Sequence, residues 1–193
     1  TCALPIFIEI EFHNDLDRHA SMHQLGLPYD VADSDGMDVG FNPNTTVPAG
    51  ESITYRWHAA NFGGHFFLDG ANQAFDSAEE PPQEVNLFSR GLFGSVIVHP
   101  KGTTWTDPFT GEKVQGRIQA DVHLPKQLSK EAEQAGFVPG ISFRQFVVHY
   151  HTPEGIRTAD GGQLTYPNDD TPQMVHGINY RADPTGNRIP TLD

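Results

Sequence analysis

The one H-x-H pair in the chain, His149-Tyr150-His151, closes an apolar run. Side chains two apart on a strand project from one face, so these imidazoles can meet a single metal ion, and imidazole suits copper. Solvated edge histidines are the competing reading. His58 and His65 lie on adjacent strand candidates joined by Asn61-Phe62-Gly63-Gly64, a turn-like sequence that lets them meet across a hairpin; core packing or hydrogen bonding is the favoured role. Asp33, Asp35 and Asp38, with Gly36 permitting a sharp turn, have a spacing that can gather a hard cation such as calcium, against the favoured reading of a solvated loop. Cys2 is the single cysteine, and Ala3-Leu4-Pro5-Ile6-Phe7 after it contains no imidazole. It therefore reads as a small buried or partner-facing thiol, outside any copper–thiolate centre.

Several chemistries are excluded or lose support. One cysteine permits neither an internal disulfide nor a zinc site built from several thiolates of this chain. With 12 Lys and Arg against 25 Asp and Glu, a net charge of −13, the chain lacks the basic stripes that neutralise nucleic-acid phosphates or anionic lipid. The acidity suits a solvated surface, the favoured reading, against a role in raising the local concentration of cations. No apolar run approaches the roughly 18 residues of a spanning helix. The first residues lack the basic start and apolar stretch of a signal peptide, so either export is absent or its signal has been removed. Neither a G-x-S-x-G elbow nor a phosphate-cradling glycine loop followed by a helix is present.

The elements that must position these residues are short strands. Across 193 residues, 19 glycines and 15 prolines cut the chain into brief segments, the texture of an all-β domain. Ile6, Ile8, Ile10 and Phe12 alternate with Phe7, Glu9 and Glu11, the period of a half-buried strand. Further strands are predicted at Ala20–Leu25, Ser52–His58, His65–Leu68, Phe93–Val98 and Phe143–His151, each β-branched or aromatic and bounded by turn formers. Pro48-Ala49-Gly50-Glu51 turns the chain into Ser52–His58, which should be a central strand. One helix is expected, Ser129–Ala135, capped by Ser129. Regular short strands favour a sandwich. The β-rich pattern restarts near Gly140, so the expected organisation is one domain over residues 1–140 and the start of a second, incomplete unit over 141–193.

In order along the chain stand Ser21-Met22-His23-Gln24-Leu25-Gly26-Leu27-Pro28-Tyr29-Asp30, Ser34-Asp35-Gly36, Thr46-Val47-Pro48-Ala49-Gly50-Glu51 and Tyr55-Arg56-Trp57-His58. Gly91-Leu92-Phe93-Gly94-Ser95-Val96-Ile97-Val98, Thr104-Trp105-Thr106-Asp107-Pro108-Phe109-Thr110-Gly111 and Gly177-Ile178-Asn179-Tyr180-Arg181-Ala182-Asp183-Pro184 follow. This succession resembles the multicopper oxidases, in particular their ceruloplasmin-like and large bacterial branches. The resemblance implies a cupredoxin-like Greek-key β-sandwich, followed by the first strands of a second cupredoxin unit. It also implies an extracellular or periplasmic location and other cupredoxin domains or subunits as partners, with no nucleic acid and no membrane span.

Multicopper oxidases reduce O2 at a copper cluster held by histidines in H-x-H pairs. The family's first pair falls on His23-Gln24-Leu25-Gly26, so His23 matches one ligand and Leu25 replaces the next. The second pair falls on Phe66-Phe67-Leu68-Asp69-Gly70, where Leu68 and Gly70 replace histidines. Neither leucine nor glycine has a side-chain donor for copper. The metal candidates are therefore His23, His149 and His151, with the last two also able to join histidines of a neighbouring chain. The expectation is a structural or inter-domain part of a multicopper oxidase acting on Mn(II), Fe(II) or a small phenol, with its copper carried elsewhere in the complete protein. The alternative is a copper-free binding or assembly module of an extracellular complex.

Overall fold

The computed structural model describes residues 2–3, 6–71, 91–114, 120–151 and 177–178, with backbone alone at 2–3, 150–151 and 177–178. Two compact units divide the chain. The first comprises Thr1–Ala71 and Gly94–Val147, and the second Asn72–Phe93 and Val148–Asp193.

Strand β1 (Cys2–Ala3) is followed by β2 (Ile6–His13), β3 (His23–Leu25), the short helix α1 (Val31–Ser34), β4 (Ser52–Ala59), β5 (Gly63–Leu68) and β6 (Phe93–His99). One sheet has the order β1-β6-β5-β3 and a second consists of β2 and β4. β1 runs parallel to β6, whereas β2–β4 and β3–β5 are antiparallel. The predicted alternation in β2 holds from Ile8 onward, with Ile8, Ile10 and Phe12 turned inward while Phe7, Glu9 and Glu11 stay exposed, but it fails at Ile6, which is 41% exposed. On β4 the inward set is Tyr55, Trp57 and Ala59, each 0% exposed. They meet Val98 and Val96 of β6 and Phe67 of β5, with the Trp57 and Phe67 rings 6.0 Å apart. Burying an aromatic side chain of this kind stabilises by about 1.5–3 kcal/mol. Two sheets packed face to face over this core make the described part of the first unit an all-β sandwich.

A third sheet, of order β7-β8-β9, joins β7 (Thr104–Thr106), β8 (Asp121–His123) and β9 (Ser142–Arg144) antiparallel. Between β8 and β9 lies α2 (Lys130–Gln134), where the Ser129 side chain accepts from the Ala132 N–H as the sequence predicts. In the second unit β10 (Tyr150–His151) pairs antiparallel with β11 (Gly177–Ile178).

Three sequence expectations need correction. Ala20–Leu25 is not one strand. Ala20 makes a single bridge to Val47, and pairing resumes only at His23, because the Ser21 N–H goes to the Asp69 carboxylate and its hydroxyl to the Gly36 carbonyl. The run Phe143–His151 is also interrupted. Residues 145–149 form no strand, and Phe146, Val147 and Val148 in succession are exposed, which no two-faced strand would give. Helix α1 was not expected, since four residues are too few to show a helical period; it is initiated by the Asp30 side chain, which accepts from the Ala32 N–H.

Candidate functional site

His23 sits on β3 directly opposite Leu68 of β5. Its Nδ1 lies 2.7 Å from the Asp35 carbonyl oxygen and 3.5 Å from the Asp35 carboxylate. Both facing atoms are acceptors, so Nδ1 carries the proton and donates. Asp35 is 6% exposed, and its carboxylate accepts from the Tyr29 hydroxyl at 2.9 Å. The Tyr29 ring stands edge-on to the imidazole at 6.3 Å. Burial first, then the hydrogen bond to Asp35, push the Tyr29 hydroxyl up to about 12, so it remains a proton donor at physiological pH. His23 is thus fastened to the turn that follows α1.

Position 25 follows His23 on the same strand face and holds a leucine 46% exposed. The cross-strand neighbour of His23 is Leu68, whose side chain offers no donor to a metal ion. At position 70 a side chain has no room: a Cβ there would stand 2.5 Å from the Gly36 carbonyl oxygen and 2.9 Å from His23 Cβ. The residues around His23 therefore do not fit a copper cluster. Among the described residues, no group of three His, Cys, Asp or Glu is placed to hold a metal ion.

The other sequence candidates separate in space. His58 lies on β4 and His65 on β5, strands of different sheets, so they do not meet across a hairpin. His65 donates from Nε2 to the Asn61 carbonyl at 3.0 Å, the bonding role favoured above, whereas the His58 ring stacks at 4.9 Å on Phe7, which is exposed, and so packs outside the core. Asp33, Asp35 and Asp38 diverge: Asp33 is exposed on α1, Asp35 is buried under Tyr29, and Asp38 accepts from Asn44. In the second unit the His149 ring stands edge-on to Phe93 at 5.4 Å, and burial holds its pKa below the ordinary histidine value. The His151 and Cys2 side chains lie outside the described residues.

The outer face of the β2–β4 sheet carries a feature that no sequence motif marks. A cleft of about 850 Å³ is bordered by Phe7, Tyr29, Asp33, Arg56 and His58. The Arg56 guanidinium lies 4.1 Å over the Phe7 ring and 3.4 Å from Glu9, its cross-strand partner. The signal was present in the outward set of β2 and β4, an aromatic and charged ladder, but its closure against α1 is a tertiary contact.

No family model matches the chain. A stretch of 95 residues is 33% identical to a "Probable nitrite reductase-hydroxylamine oxidoreductase fusion protein" of Kuenenia stuttgartiensis, covering 49% of this chain and 10% of that protein. Among solved structures, one described as a multicopper oxidase superposes with a TM-score of 0.38 and 24% identity over 52% of this chain and 30% of its own. Lac15 from a marine microbial metagenome gives 0.36 and 20% over 65% and 35%. The chain thus spans about a tenth of the curated relative that it matches.

Proposed function

We propose that this chain is a copper-free structural or inter-domain-contact unit of a larger multicopper-oxidase-like protein. In that protein, oxidation of a metal ion such as Mn(II) or Fe(II), or of a small phenol, is coupled to O2 reduction at coppers carried by other units. The observation that supports this reading is the surroundings of His23: the motif order resembles that of the oxidases, and Leu25, Leu68 and Gly70 occupy the positions at which that resemblance expects donors. An extracellular or periplasmic setting and partner cupredoxin units belong to the same proposal. The curated relative, whose name describes a fusion of two redox activities, supports a chain that works as part of a longer redox protein. Should metal reach this chain in the assembly, the donors we assign are His149 and His151, completed by imidazoles of a neighbouring unit.

The test is to incubate the purified chain with Cu(II), remove the excess and measure copper by elemental analysis together with the visible spectrum. The expected result is copper well below one equivalent and no intense copper–thiolate band. Stoichiometric copper with such a band overturns the proposal.

A further inference from the structure

Two backbone segments of the first unit cross at Gly36 and Gly70 with no space for a side chain between them. A Cβ on Gly70 would lie 2.5 Å from the Gly36 carbonyl oxygen, 2.9 Å from His23 Cβ and 3.1 Å from Met37 Cγ; a Cβ on Gly36 would lie 2.5 Å from the Met22 carbonyl oxygen. Gly36 also has φ of +68°, a conformation that disfavours any other residue. Ser21, 2% exposed, joins the two segments. The Gly70 N–H donates to Ser21 Oγ at 2.9 Å, and Ser21 Oγ donates to the Gly36 carbonyl at 2.6 Å. The Ser21 N–H donates to the buried Asp69 carboxylate at 2.9 Å, and the Gly36 N–H to Thr45 Oγ1 at 2.8 Å. His23 grips the same turn one residue earlier, through the Asp35 carbonyl.

From this geometry we infer that the position reserved in the oxidases for the last histidine of the second pair has become one side of a Ser21-clamped backbone crossing, and that His23 serves to hold the Asp35–Met37 turn against β3. The inference rests on the copper-free reading and deepens it. At positions 25 and 68 the donors are missing through side-chain identity alone, whereas at position 70 the backbone closes the site, so substituting histidine there cannot restore a ligand.

Gly70→Ala, Ser21→Ala and, as a control in β5, Gly64→Ala separate this from simple ligand loss. A Cβ at Gly64 meets only Ile97 Cδ1, at 3.4 Å, an ordinary contact. Thermal unfolding of the intact chain is expected to show Gly70→Ala melting at least about 5 °C lower than the parent, and Gly64→Ala within about 2 °C of it. Where Gly70→Ala yields no folded protein, Ser21→Ala reads the same crossing: the Gly70 amide, deprived of its acceptor, should exchange its hydrogen at least about tenfold faster, while the Tyr55 amide is unchanged. Parental stability in Gly70→Ala, or parental exchange at Gly70 in Ser21→Ala, overturns the inference. Copper measured alongside keeps the two ideas apart: stoichiometric copper lost on His23→Gln defeats the copper-free reading, whereas a neutral Gly70→Ala in a copper-free chain defeats the crossing alone.

Discussion

His99, on β6, is 2% exposed, and its Nδ1 has no hydrogen-bond partner among the described residues. Trp105 stands edge-on to its ring at 5.8 Å, and Phe143 lies 6.3 Å away. Burial pushes the His99 pKa below its ordinary value, opposed in part by a hydrogen bond that the imidazole donates to the Gln145 side chain. The unfolded chain therefore takes up the proton first as pH falls below about 6.5, and the folded state loses stability from there down to the depressed folded pKa. Above that window His99 leaves stability unchanged with pH. Urea unfolding between pH 7.5 and pH 5 should show a decline that His99→Phe makes shallower; His149, lowered for the same reason, retains some of the slope. An identical slope in the variant would exclude His99 as a source. His23 carries the opposite lesson at this scale. Its residue type suggests a ligand, and only the Asp35 carbonyl beside Nδ1 shows what the ring is doing.

Among the elements, α2 and its cap follow from local chemistry, whereas the strands near His23 depend on distant partners. Ser129 caps α2, and Ala132, 0% exposed, docks the helix. Ser129→Ala should lower the unfolding free energy by about 1 kcal/mol in a urea titration; no change would mean that docking alone holds the helix. β2, β4, β5 and β6 appear close to their predicted spans because a period of two or a bounded β-branched run marks each one. Ala20–Leu25 and Phe143–His151 have similar composition but are broken. In the first, Ser21 gives its polar groups to Asp69 and Gly36, residues remote in sequence. In the second, Gln145 and Phe146 leave the ladder after Arg144, where β9 ends against β8.

For the molecule as a whole, the packing of one sheet on the other carries stability. Trp57 lies at 0% exposure between the sheets, whereas Phe41 is 109% exposed. Trp57→Ala should cost about 3–5 kcal/mol through lost burial and the cavity left behind, and Phe41→Ser no more than about 0.5 kcal/mol. Urea titrations followed by circular dichroism would check both, and comparable losses would contradict a core centred on β4. The sequence by itself determined the all-β character, the inward faces of β2 and β4, the α2 cap and the absence of imidazoles at positions 25, 68 and 70, since each depends on residue type and short-range spacing. Tertiary structure alone decided that His58 and His65 part into different sheets, that Asp35 turns its carbonyl to His23, and that Gly70 meets Gly36 too closely for any side chain. Those contacts join residues far apart in the chain, and a close approach of two backbones leaves no periodicity or composition by which it could be read in advance.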